Sequence, residues 1–179
     1  MTAPTATSTP PFGTKPIPSP KQQFLEAFER ESAVTSKVID AFPADQSEFK
    51  PHEKSSSARR LAWTFSVEAG AIVAALKDQF EIKGGFPPAP ETWPEVVSTF
   101  RKTREMVIST ISQARDEDFA GTVSFFVGPK TLGDVPKMDF CWFMLSDQIH
   151  HRGQLSVYVR MTGGKVPSIY GPSADEPWR

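Results

Sequence analysis

The chain has 179 residues, with 20 basic and 21 acidic side chains and a formal net charge of -1. That length supports one domain with a sizeable core, and the balanced charge gives no electrostatic reason to expect a nucleic-acid partner. No apolar run reaches the roughly 18 residues of a membrane-spanning helix, and the opening "MTAPTATSTPPFGTKPIPSPK" lacks the apolar centre of a secretion signal.

Residues 1–20 carry six prolines among Thr, Ser and Ala. Such a segment buries too little apolar surface to offset its ordering entropy, so a disordered tail is expected, with the folded unit at 21–179. Helical periodicity starts in "KQQFLEAFERESAVTSKVIDAF". Phe24, Leu25, Phe28, Val34, Val38, Ile39 and Phe42 fall on one stripe there, and Pro43 ends it. "PADQSEFKPHEK" reads as a loop, which puts His52 at the surface.

The second helix is expected in "SSSARRLAWTFSVEAGAIVAALKDQFEI". Ser55 to Ser57 are its candidate N-caps, Leu61, Phe65, Ile72 and Leu76 its buried face, and Gly84-Gly85 follow its end. Thr92 caps the third helix with Pro94 in its first turn, and Val96, Val97, Phe100, Val107, Ile108 and Ile111 form its face. "GTVSFFVGPKTLGDVP" breaks the helical pattern, leaving Val123 to Val127 as one strand or an extended segment. The fourth helix spans about Lys137 to Thr162 and stops at Gly163-Gly164. A Pro/Gly-rich tail follows, whose Tyr170 and Trp178 are expected to pack against the rest.

Four long helices and little strand predict an all-α four-helix bundle. The connections on either side of the third helix are long for hairpin turns. An up-down-down-up order with a long crossover is therefore allowed, though not demanded.

The chemistry concentrates in "LSDQIHHRGQL". A heptad register puts Phe140, Phe143, Asp147, His150, Gln154, Val157 and Met161 inward, so the apolar stripe breaks for two turns and resumes. Asp147 and His151 are four apart and share a face. On the second helix Thr64 and Glu68 are also four apart, and Glu68 is an acid in the apolar middle of its helix. If both helices face one core, Glu68, Asp147 and His151 form a three-ligand set whose oxygen and nitrogen donors suit Zn, Ni, Fe or Mn. A buried Asp, His and Gln can instead simply hydrogen-bond one another and fix helix register, and by spacing alone that is the commoner outcome. Arg152 reads as a solvated charge or an ion-pair partner. Gly153, inside the helix, costs roughly 1 kcal/mol against Ala. Cys141, the single cysteine, lies in the apolar run "MDFCWFML" and reads as a buried, unreactive side chain. A reducing cytoplasm is the simplest compartment for a chain with no disulfide.

At "HHRGQL" followed by "VYVRMTGG", and at "ARRLAWTF" on the second helix, the sequence resembles the DinB family of DinB/YfiT-like metalloenzymes. The resemblance runs roughly from Phe24 to Gly164. It implies an up-down-down-up bundle, often dimeric, with a divalent-metal site commonly built from three histidines. It also implies chemistry like that of thiol-dependent S-transferases and isomerases that use low-molecular-weight thiols. Two of the three ligand positions differ here. Thr64 stands where the family has its second-helix histidine, and Asp147 where it has the first of the final-helix pair. His151 is retained.

Three functions follow as expectations. The first is a metal-dependent transferase or hydrolase with Glu68, Asp147 and His151 as ligands, and with His150, Gln154, Thr64 and Tyr158 positioning ligands or substrate. The second is a metal-free small-molecule pocket lined by Trp63, Phe65, Phe143 and Tyr158. The third is a structural homodimer with a degenerate site.

Overall fold

The computed structural model describes residues 17–82 and 85–179. Of the tail expected at 1–20, residues 1–16 lie outside the described residues, and Ser19 and Pro20 already cap and open the first helix. Gly84, one of the two glycines expected to follow the second helix, also lies outside the described residues.

Four helices carry the fold: α1 (Pro20–Asp40), α2 (Ala58–Leu76), α3 (Trp93–Gln113) and α4 (Lys137–Met161). Helix α1 begins with Pro20 at its first position and Ser19 accepting a hydrogen bond from the Gln22 amide. That placement uses the missing N–H of proline where no intrahelical partner exists for it. Ser57 caps α2, and Thr92 with Glu95 forms a reciprocal capping box on α3. Helix α2 stops at Leu76, earlier than its pattern predicts. Asp78 then takes a φ of 55° and turns the chain out of the helix.

Helix α2 packs against α3 and α4, and α1 packs against the same two helices, so α1 and α2 are diagonal. Two apolar clusters give the directions. One joins early α1 (Phe24, Phe28), late α2 (Ile72, Leu76), late α3 (Val107, Ile111) and early α4 (Phe140, Leu145). The other joins late α1 (Val38, Ile39), early α2 (Leu61, Phe65), early α3 (Val96, Phe100) and late α4 (Leu155, Val159). Helices α1 and α4 therefore run one way, and α2 and α3 the other. This up-down-down-up order needs a long return between the parallel neighbours α2 and α3. The connection from Lys77 to Thr92 supplies it, since α2 is only about 28 Å long and an extended chain covers about 3.3 Å per residue.

A buried polar waist separates the two clusters: Glu31, Ser32 and Thr35 of α1, Ser66 and Glu68 of α2, and Gln148 and Arg152 of α4. Arg152 is 1 % exposed, which corrects its reading as a solvated charge. Its guanidinium donates to the Glu31 carboxylate at 2.9 Å, to the Glu31 carbonyl at 3.0 Å and to the Tyr170 hydroxyl at 2.5 Å. A buried charge persists only when paired in this way. The C-terminal tail is thus tied to the centre of the bundle through Tyr170, whereas Trp178 is exposed and donates to Ser168 within the tail itself.

The segment between α3 and α4 is a hairpin. Strand β1 (Thr122–Gly128) pairs antiparallel with β2 (Thr131–Pro136), Phe125 lying opposite Gly133. The second strand was not expected, because "TLGDVP" has no apolar alternation. Pairing with β1 supplies what its own propensity lacks.

The heptad register predicted for α4 is also corrected. The buried line is Phe140, Cys141, Met144, Leu145, Gln148, Arg152, Leu155 and Val159. Phe143, His150, Gln154, Val157 and Met161 are exposed. Two polar residues, Gln148 and Arg152, occupy core positions, so an apolar count alone rotates the helix the wrong way.

Candidate metal centre

Asp147 and His151 lie one turn apart on α4, at the edge of its buried face and turned toward α2. Glu68 meets them from the middle of α2. One ligand atom from each of the three residues lies within 4.8 Å of the others. His151 Nδ1 is 3.1 Å from Glu68 Oε1 and 3.9 Å from Asp147 Oδ1. Burial is graded across the set. The Glu68 side chain is nearly sealed, His151 is partly open and Asp147 more so.

The grading shapes the electrostatics. Burial pushes the Glu68 carboxyl up to about 7, against the opposing pull of His151 and with a further push from Asp147. The hydrogen bond to Glu68 raises the His151 imidazole above its usual value, outweighing burial. Both effects follow from placing two carboxylates and one imidazole in a poorly hydrated groove.

The donor set fits a divalent cation. Two carboxylates and an imidazole are oxygen and nitrogen ligands suited to first-row metals. Glu68 Oε2 is buried without a hydrogen-bond partner among the described residues, the position of an unused ligand atom. The three residues would hold such an ion at the wall of the cleft.

That cleft has a volume of about 940 Å³ and runs between α2 and α4. The hairpin walls it with Phe125 and Phe126, and the α2–α3 connection walls it with Phe80, Ile82, Phe86 and Pro87. Phe125 is the hub of the aromatic end, with ring centroids 6.0 Å from Phe80, 5.0 Å from Phe140 and 5.6 Å from Phe143.

The other residues singled out in the sequence divide. Thr64 lines the cleft one turn before Glu68, its hydroxyl bonded back to the Arg60 carbonyl at 3.3 Å. It does not join the three-residue cluster, to which α2 contributes Glu68, one turn on. His150 and Gln154 are exposed and bond each other at 2.9 Å, away from the cleft lining. Tyr158 is buried in the second apolar cluster, where its hydroxyl donates to the Ser56 carbonyl at 3.3 Å. Of the four aromatic residues expected to line a pocket, Phe143 does so. Phe65 is sealed against Phe100, and Trp63 donates to the Pro87 carbonyl at 3.1 Å. His52 is exposed, and Cys141 is buried with its thiol pushed up to about 12 by desolvation. The sequence reading missed Arg60, Phe80, Phe125 and Phe126 as cleft residues. Arg60 precedes Thr64 by one turn and Glu68 by two, a spacing that puts all three on one helical face.

A four-helix bundle of this order, with a carboxylate–histidine cluster between its second and fourth helices, is a DinB-like architecture. The chain belongs to the DinB family, whose model matches residues 14–178. It is 23 % identical over 154 residues to the uncharacterized protein YrdA of Bacillus subtilis strain 168, covering 86 % of this chain and 89 % of that protein. It resembles the crystal structure of a DinB-like protein from Bacillus cereus ATCC 10987, with a TM-score of 0.67 and 22 % identity, over 82 % of this chain and 95 % of that one. It also resembles that of the DinB-like protein YjoA from Bacillus subtilis, with a TM-score of 0.66 and 19 % identity, over 82 % of this chain and 96 % of that one. Within the family pattern the site is degenerate: one histidine remains and two carboxylates take the other places. No described helix is long and apolar enough to cross a membrane.

Proposed function

We propose that the protein is a metal-dependent enzyme acting on a small molecule, with Glu68, Asp147 and His151 as ligands of one divalent cation, Zn, Ni, Fe or Mn. The observation that carries this reading is the convergence of two carboxylates and an imidazole on one point at the floor of a large cleft, one carboxylate oxygen being buried and unpartnered. A cation there supplies a Lewis acid that activates a thiol or a water. The chain's own part is to hold the ligands, exclude bulk water with the aromatic wall and orient the substrate, with Thr64 at the cleft side of the site. Family resemblance favours transfer to or from a low-molecular-weight thiol, with hydrolysis as the related alternative.

The same reading takes the protein as a cytoplasmic homodimer. The exposed side chains Val157 and Met161 along α4 support an apolar contact between copies. The buried, unreactive Cys141 suits a reducing compartment.

The direct His151–Glu68 hydrogen bond supports a second reading, a metal-free ligand pocket whose polar floor satisfies itself. Elemental analysis of untagged protein separates the two, beside the Asp147→Ala, His151→Ala double variant. About one equivalent of transition metal, lost in the double variant, is expected. Absence of metal after incubation with zinc, nickel and manganese would establish the second reading instead.

A further inference from the structure

The cleft is polarised along its length, and the antiparallel packing of α2 and α4 is the reason. On α2 the face toward the cleft reads Arg60, Thr64, Glu68 and Ala71; on α4 it reads Phe143, Asp147 and His151. Because the helices run in opposite directions, Phe143 lies toward the Ala71 end, beside Phe80 and Phe125. The carboxylate–histidine cluster sits in the middle. Arg60 stands at the far end, about 12 Å along the helix axis from Glu68.

Arg60 is not held by the protein. Arg30, Arg59, Arg101, Arg104, Arg115, Arg152 and Arg160 each have an ion pair or side-chain hydrogen bond. The neighbouring Arg59 is tied to both Glu48 and the Pro90 carbonyl. Among the described residues, the Arg60 guanidinium has no such partner, and it lines the cleft. The aromatic end is open as well, with Phe126 and Phe143 each close to half exposed. An unpaired guanidinium and an uncovered aromatic nest, on either side of a reactive centre, are complementary to the two ends of one molecule.

We propose that the cleft selects ligands that combine an aromatic body with an anionic group, the body seated on Phe125, Phe126 and Phe143 and the anion held by Arg60. This deepens the enzymatic reading by naming its substrate class, and it rests on that reading for the chemistry, though not for the binding. Among the described residues, the other charges facing the cleft are Glu68, Glu81, Asp147 and His151. In the metal-free chain the acids outnumber His151 and disfavour an anion at the middle of the cleft, which leaves Arg60 as its anchoring cation among the described residues.

The test uses a matched pair of fluorescent probes, 8-anilinonaphthalene-1-sulfonate and N-phenyl-1-naphthylamine, which share an aromatic body and differ by the sulfonate. The full chain is titrated with each, alone and after loading with zinc. The sulfonate probe is expected to bind about fivefold to tenfold more tightly than the neutral one, the worth of one partly exposed charge-assisted contact. Arg60→Gln is expected to bring the two affinities together while leaving the neutral probe unchanged. Phe125→Ala is expected to weaken both. Equal affinities in the metal-free wild type, or a preference that survives Arg60→Gln in the metal-free chain, overturns the proposal. Zinc content is read on the same samples. A chain that binds no metal but keeps an Arg60-dependent preference defeats the enzymatic reading alone. A chain that binds metal without that preference defeats only the ligand class.

Discussion

His151 Nδ1 stands 3.1 Å from Glu68 Oε1, a contact between residues 83 positions apart that joins α4 to α2 at the floor of the cleft. Without a cation this pair holds its protons to a higher pH than either group does in the unfolded chain. Burial lifts Glu68 to about 7, and the bond to Glu68 lifts His151. The folded state therefore binds more protons than the unfolded state between about pH 5 and 8, and stability falls as pH rises through that window. Urea denaturation of metal-free protein at pH 5.5 and pH 8 is expected to show a loss of about 1–3 kcal/mol at the higher pH. Glu68→Gln should flatten most of that slope. Zinc should oppose it, because a metal takes deprotonated ligands and binds better as pH rises.

Replacing Thr64 and Asp147 together by His restores the three-histidine set implied by the family. Thr64 already faces the cleft one turn from Glu68. The double substitution is expected to raise zinc or nickel affinity by about tenfold or more, since imidazole suits both ions. Competition with a chromogenic chelator measures it. An unchanged affinity would mean that position 64 lies too far from His151 to share an ion.

The Glu31–Arg152–Tyr170 group should respond to acid in the opposite sense. Burial raises the Glu31 carboxyl, but the bonds from Tyr170 and Arg152 prevail and hold it below the usual carboxylate range. Its contribution is present at neutral pH and is lost as pH falls through that lowered value. Arg152→Met leaves the buried Glu31 with only the Tyr170 hydroxyl and the largely exposed Arg30 as partners among the described residues and is expected to cost about 3 kcal/mol. Adding Glu31→Gln should recover a large part of that loss. Tyr170→Phe is expected to cost about 1 kcal/mol and to expose the tail to limited proteolysis.

Two glycines near the end of α4 should behave differently. A Cβ at Gly164 would lie 2.8 Å from the Ala41 carbonyl oxygen and 2.8 Å from Val159 Cγ1. Gly164→Ala is expected to destabilise by about 1–3 kcal/mol. A Cβ at Gly153 meets nothing within 4 Å. Gly153→Ala should stabilise the helix by about 0.5–1 kcal/mol, read as a higher midpoint in thermal denaturation.

The sequence by itself determined the four helices, the cap at Thr92, the Ser55 to Ser57 run from which the cap of α2 comes, and the grouping of Glu68, Asp147 and His151. These are local facts: periodicity, capping chemistry, and acids placed where an apolar helix has no other use for them. Family membership was legible in "HHRGQL" and "VYVRMTGG" for the same reason, since a motif is a short-range pattern. The tertiary structure decided what depends on a partner distant in sequence. Strand β2 exists because β1 lies beside it. Arg152 is in the core because Glu31 and Tyr170 neutralise and bond it there, and without them its charge would dictate the surface. The rotation of α4, which sends His150 and Gln154 outward, follows from that burial. The aromatic wall of the cleft comes from three separate segments that only the packed bundle brings together.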